Sequence, residues 1–239
     1  MPTDASHTLL RRVTLLLASG FTLFAMAAVA PTLPAIQREF AALPDAALLT
    51  RMVLTLPALT IALTAPVSGW VVDRLGRRPV LIAALLVYVA SGTAALWLGD
   101  LTAILISRAV LGIAIGMMLT ALTTLIGDYY QGAERNRMAG AQHAVMVTGV
   151  AVGTILAGFL AETDWRLPFF MYFAALAVIP LVWFAIAEPA RGAAPPPVGL
   201  LAPGARFSFV PVALLYLLVW LSTISTFIVP SQLAFLLIE

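Results

Sequence analysis

The sequence predicts an all-α polytopic membrane bundle of about seven transmembrane helices, and three observations predict it. Hydrophobic residues fill 62% of the 239 positions, with a mean hydropathy of +1.03, whereas soluble domains use about 45–50% apolar residues. Apolar runs close to the ~20 residues that cross a bilayer as a helix recur along the chain. Charged residues, only 10% of the total, gather at the ends of those runs. Lipid is therefore the solvent for most of the chain, and a helix satisfies its own backbone there.

The same composition excludes several chemistries. There is no cysteine, so disulfides and thiolate sites are absent. All 13 basic residues are arginine, which leaves no lysine for a Schiff base to retinal. Two histidines, His7 and His143, do not make a histidine metal centre, and no cofactor or metal is expected. The net charge is +2 and the pI about 9.4, but the charges cluster at span ends instead of forming the basic face that nucleic acid requires.

A polar lead ends in Arg11-Arg12, and 13–37 carries no charge. Ala28-Val29-Ala30 has the form of a signal cleavage site, but the run exceeds the about 7–15 residues of a signal core. An uncleaved first helix, ended by Pro31 and Pro34, is expected. A polar loop at 38–51 leads to a second helix at 52–72, whose Pro57 and Pro66 a bundle can tolerate. A basic turn follows, then a third helix at 79–99 with Pro79 in its first turn. The fourth runs over 101–127 and contains Arg108. A charged loop at 128–137 precedes the fifth at 138–161, and a turn at 162–166 precedes the sixth at 167–187. Residues 188–206, including Arg191-Gly-Ala-Ala-Pro-Pro-Pro197, form a Pro/Gly-rich linker, the one expected domain boundary. The uncharged run 207–238 supplies a seventh helix. The expected organisation is thus a helical domain at 1–187, a linker at 188–206, and the first helix of a further segment at 207–239.

Arginine sets the orientation. With the N-terminus inside, Arg11, Arg12, Arg74, Arg77, Arg78, Arg135, Arg137, Arg191 and Arg206 face the cytoplasm, and only Arg38, Arg51 and Arg166 face outward. The N-terminus is expected to be cytoplasmic and the end of a seventh span external. A seven-span receptor would need the opposite orientation.

Four constellations stand out. The turn Gly69-Trp-Val-Val-Asp-Arg-Leu-Gly-Arg-Arg78 holds Asp73 among Arg74, Arg77 and Arg78, with Gly69 and Gly76. The arginines alone read as a solvated positive-inside loop. Asp73 does not serve topology and is placed to pair with an arginine or to cap a helix. Gly69 offers a close approach to a neighbouring helix. Asp128, at the same membrane face, is followed by Glu134, Arg135 and Arg137. Arg108 lies within a span, where an arginine costs roughly 2.5–3.5 kcal/mol on insertion scales. It recurs at four-residue spacing with Gly112 and Gly116 on one helix face. Either it snorkels to the outer interface or it faces the bundle. Finally, Gly149, Gly153 and Ala157, with Gly158, make a small-residue stripe suited to close packing. Gln142 and His143 are the other strongly polar side chains expected inside the fifth span, with either a packing or a proton-relay role.

The G-x-x-x-D-R-x-G-R-R turn resembles the signature loop between the second and third spans of major facilitator superfamily transporters. Arg108-x-x-x-Gly112-x-x-x-Gly116 resembles the family's fourth-span motif, and Trp165-Arg-Leu-Pro-Phe-Phe170 its approach to the sixth span. The fifth-span segment Gly149-Val-Ala-Val-Gly153-Thr-Ile-Leu-Ala-Gly158 resembles the family's drug-proton antiporter motif, with Thr154 in place of a proline and Ala157 in place of a glycine. The resemblance implies an inverted repeat of three plus three helices and an alternating-access mechanism. It also implies a charge relay of Asp73, Arg77 and Asp128 that locks one conformation, and an Arg108 involved in proton transfer.

What it implies for function is a secondary transporter in a bacterial-type plasma membrane, an antiporter exporting small molecules in exchange for protons, present as an incomplete chain. The family has two six-span halves, so a second half is an implied partner alongside substrate, protons and lipid; no nucleic acid is implied. The alternative is a non-transporting membrane fragment or scaffold that needs a partner half. An intramembrane enzyme is disfavoured, because the spans contain no thiol, metal cluster or acid dyad. No acidic residue lies mid-membrane to pair with a cationic substrate.

Overall fold

The computed structural model describes residues 3–189, together with 213, 214, 217, 218 and 221. The expected seventh helix at 207–238 lies outside the described residues apart from those five, and the linker at 188–206 apart from Glu188 and Pro189. Among the described residues the structure is helical throughout, with 6 helices long and apolar enough to cross a membrane. This is a multi-pass membrane protein.

The first span is α1 (Thr3–Ala27), a 3₁₀ turn (Ala30–Thr32) and α2 (Leu33–Glu39). The prolines do not end it, as the sequence suggested. Pro31 and Pro34 fall in the first turns of the two following segments, where a missing N–H is tolerated, so they interrupt the α-helix and let the span continue to Glu39. The second span, α3 (Ala46–Leu75), starts earlier than expected and carries Pro57 and Pro66 inside it.

The basic turn is almost no loop at all. α3 runs through Asp73 and Arg74 to Leu75, Gly76 is the single non-helical residue, and α4 (Arg77–Thr93) begins at once. α4 stops short of the expected Gly99, passing into a 3₁₀ turn at Ala94–Leu96. α5 (Leu101–Tyr129) is N-capped by Asp100, whose carboxylate accepts the Ala103 N–H at 2.9 Å. The second charged loop is also mostly helix, since α6 spans Gly132–Thr163.

The sixth span opens with eleven residues of 3₁₀ helix, Leu167–Ala177, and closes with α7 (Val178–Ala185). Three residues per turn bring i and i+3 into register. Phe169, Tyr172, Ala175 and Val178 accordingly form one buried row, and the Phe169 and Tyr172 rings stack with centroids 6.3 Å apart.

α5 packs against α3 and α4, α1 against α6, and the 3₁₀ segment against α4. Leu81, Leu85 and Tyr88 of α4 meet Ile104, Leu111 and Ile115 of α5 in the core. α4 and α5 are the most enclosed spans, while α3 and α6 turn most of their surface away from the bundle. Chain reversals place the α3–α4 turn, the α5–α6 connection, the start of α1 and the end of α7 at one membrane face.

Candidate functional site

Gly76 is the pivot of that face. Its φ of 105° lies where side-chain-bearing residues are strained. A Cβ there would also sit 2.7 Å from the Glu188 Oε1. The space belongs to Glu188, which accepts the Arg77 N–H at 2.7 Å on Oε1 and the Arg78 N–H at 2.8 Å on Oε2. These amides are orphan donors of the first turn of α4, and a carboxylate on them also opposes the positive end of the helix dipole. Pro79, next in the chain, has no N–H to satisfy. Glu188 thus caps α4 from 111 residues away.

The Arg77 side chain turns the other way. Its Nε donates to Asp128 Oδ2 at 3.2 Å, and its Nη2 lies 3.4 Å from Asp73 Oδ1, across the Gly76 turn. Asp73, Arg77 and Asp128 are therefore brought together. The Asp73 side chain is 72% exposed, so that pair adds at most about 1 kcal/mol; the Arg77 and Asp128 side chains are less open, at 20% and 26%. Arg78 donates to the Trp183 carbonyl at 2.5 Å and stacks on its indole, 4.7 Å from the centroid. Arg74 lies 5.2 Å from the ring centre of Trp70 on its own helix.

The start of α1 is tied to the same face. Arg11 stacks on Tyr129 at 4.3 Å, Arg12 pairs with Glu134, and the Tyr129 hydroxyl donates to the Ala187 carbonyl. Tyr129 and Glu188 escaped the sequence reading. The one available signal for Glu188 was position: it is the first charge after the sixth apolar run.

Deeper in the bundle, Arg108 is 0% exposed. Its Nη2 donates to the Ser91 and Gly92 carbonyls at 2.8 and 2.9 Å, and its Nη1 to the Tyr172 hydroxyl at 3.3 Å. A longer contact joins Nε to Ser107 Oγ at 3.4 Å. The Phe169 and Tyr172 rings lie 5.2 and 5.5 Å from the guanidinium carbon. The snorkelling alternative is overturned, because the guanidinium turns into the bundle. It is held by the last carbonyls of α4, where a cation complements the negative end of the dipole. α4 therefore has a carboxylate from beyond α7 at its N-terminus and an arginine from α5 at its C-terminus.

The expected glycines separate by their surroundings. Gly112 faces α3 so closely that a Cβ would overlap Thr60 Oγ1 and the Pro57 carbonyl, and Gly116 would meet Thr64 Oγ1 at 3.1 Å. Arg108 shares their helix but leaves that seam for α4. Gly149 lies against the Gly20 carbonyl and Gly153 against Phe24, which seats α6 on α1. At Gly69 and Gly158 a Cβ would meet nothing within 4 Å among the described residues, so neither makes the close approach expected of it. His143 also departs from expectation. It is exposed, whereas Gln142 is buried and donates to Ser19 Oγ at 3.1 Å. The narrow inward face of α6 takes Gln142, and His143, about 100° further round the helix, falls outside it.

Replacing Glu188 with alanine is expected to lower the thermal midpoint of the purified chain, by an amount matching about 1 kcal/mol for a lost cap on a half-exposed site. Glutamine, which keeps an acceptor, should recover part of it. Identical midpoints for all three proteins would remove Glu188 from the turn.

Among the described residues, six helices able to span a membrane, a one-residue glycine turn with charged partners and a buried arginine between helices make up a helical membrane bundle. The chain belongs to the Major Facilitator Superfamily, whose model matches residues 15–238; this is a family of transporters, not of enzymes. Multidrug resistance protein 1 of Bacillus subtilis is 34% identical over 137 residues, 56% of this chain and 35% of that protein. The quinolone resistance protein NorA of Staphylococcus aureus is 27% identical over 126 residues, 52% of this chain and 32% of that protein. Among solved structures, a D-xylose-proton symporter superposes with a TM-score of 0.66 at 20% identity, over 75% of this chain and 49% of that one. The human organic anion transporter MFSD10 gives 0.63 at 19% identity, over 85% and 52%. These structures share the fold. The chain thus matches about a third of the curated relatives' length and about half of the solved chains.

Proposed function

We propose that this chain forms the N-terminal six-helix half of a proton-driven exporter of small molecules in a bacterial-type plasma membrane, with its N-terminus in the cytoplasm. The observation that carries the reading is Arg77 held between Asp73 and Asp128 on a turn capped by Glu188. These bonds are accessible enough to break during a transport cycle, and together they tie α3, α4, α5 and the end of α7 to one another. Arg74 and Arg78, each resting on a tryptophan, anchor the turn at the interface. The names of the multidrug and quinolone resistance relatives support export, and the resemblance around Arg108 supports proton coupling. His143 is a second candidate for the proton path, from an exposed face. Residues 1–187 act as the helical half, 188–206 as the linker and 207–239 as the start of a second half. In the alternative reading the bundle is a non-transporting scaffold; the open faces of α3 and α6 suit either.

Vesicle uptake of a quinolone, with and without a pH gradient, tests this. Flux is expected when a second six-helix bundle is co-expressed and not from the chain alone, and a protonophore should abolish it. Asp73→Asn and Arg77→Ala should each remove most of that flux while inserting normally. Flux of parent size in both variants would end the relay reading, and robust flux from the isolated monomer would end the half-transporter reading. For orientation, cysteines at Ala42 and Ala133 are probed in intact cells with an impermeant thiol reagent. Ala42→Cys should label and Ala133→Cys should not; the reverse pattern inverts the topology.

A further inference from the structure

We propose that Tyr172 is a latch through which Arg108 holds the break in the first span. The helical ladder of α1 ends with the Ala28 N–H on the Phe24 carbonyl at 3.1 Å, and Pro31 supplies no amide beyond it. The last carbonyls of α1 therefore need donors from elsewhere, at a depth where water is scarce. Ala25, Ala27, Ala28 and Val29 are at most 4% exposed, so water is shut out of the break by the bundle as well.

The donor at Ala25 is Tyr172, whose hydroxyl lies 2.7 Å from that carbonyl. The same hydroxyl accepts from Arg108 Nη1. A guanidinium can only donate, so the single phenolic proton is committed to Ala25. The Arg108 charge thereby fixes the direction of a bond made by another helix. α4 leaves room for the ring at Gly92, where a Cβ would overlap it. Beyond the break, α2 rests on α3 but buries only Ile36, so the break contributes to the angle of that outer segment. Tyr88 provides an internal comparison. Its hydroxyl donates to the Phe21 carbonyl at 2.9 Å, one turn earlier in α1 where the helix is continuous, and no bond from Arg108 stands behind it.

The latch holds or fails whether or not the chain moves a solute, so its test does not use flux. The sequence has no cysteine, and spin labels at Gln37→Cys and Thr102→Cys, both exposed, report the distance from α2 to the start of α5 in lipid nanodiscs. A narrow distribution is expected in the parent. Tyr172→Phe keeps the ring and loses both bonds; its distribution should roughly double in width or split in two. Gly92→Ala, which displaces the ring but keeps the hydroxyl, should do the same and decides the matter if the phenylalanine variant fails to insert. Tyr88→Phe should match the parent. Parent-like distributions in both Tyr172→Phe and Gly92→Ala, or equal broadening in Tyr88→Phe, would overturn the proposal.

Discussion

Lysine in place of Arg108 is expected to lower the thermal midpoint of the purified chain by on the order of 10 °C and to abolish flux wherever flux is measurable, with membrane insertion unchanged. The guanidinium serves two carbonyls of α4 and the Tyr172 hydroxyl at once, while its face lies near the Phe169 ring. A planar fork of five donors can do this from one position; an ammonium is a point charge on a flexible stem and cannot reach all three acceptors from the α5 backbone. Each buried acceptor left without a partner costs about 1–3 kcal/mol. The end of α4 would also lose part of the charge that complements its dipole. Differential scanning fluorimetry in detergent reads the result. A midpoint within a degree or so of the parent would mean that the enclosed guanidinium holds nothing.

A larger loss is expected from Gly112→Val. At this position a Cβ would lie 2.8 Å from the Pro57 Cα and overlap the Pro57 carbonyl and Thr60 Oγ1. Two of those three atoms are backbone, so no rotamer change relieves the overlap, and α3 has to move off α5. Overpacking of ordinary cores costs about 1–3 kcal/mol when side chains can shift; here the principal helix seam of the bundle opens instead. Gly116→Ala comes within 3.1 Å of a side-chain hydroxyl, that of Thr64, while the Ile61 backbone lies at an ordinary 3.7 Å, so it should cost much less. Gly158→Ala and Gly69→Ala meet nothing among the described residues and should be neutral or slightly stabilising, since alanine favours the helix by about 1 kcal/mol. The order of the four midpoints is the test. Gly112 and Gly158 variants of equal stability would mean that the α3–α5 seam is not built on Gly112.

How far the sequence reached depended on the range of the physics involved. The spans were legible because lipid imposes a local rule, about twenty apolar residues between charges, that each segment obeys by itself. Their ends were less so. Asp73, Arg74 and Glu134 were taken for loop residues but lie in helices, since a helix that leaves the bilayer gives up its apolar pattern without giving up its backbone bonds. That Asp73 would pair with an arginine was legible because the two charge types stand within five residues of each other; the Gly76 turn between them decides that the partner is Arg77. His143 was misplaced because hydropathy reports that a helix crosses lipid and not which of its faces meets a neighbour.

By itself, then, the sequence determined that this is a multi-span helical protein, where its charged turn lies, and which arginine is out of place in lipid, because hydropathy and charge act residue by residue. Only the tertiary structure decided what those charges touch. Glu188 seats on backbone amides, which have no sequence signature, 111 residues away. Arg108 ends on the carbonyls of another helix and on a tyrosine brought into line by 3₁₀ winding. A buried charge must find acceptors, but which acceptors it finds is settled when helices distant in sequence pack against one another.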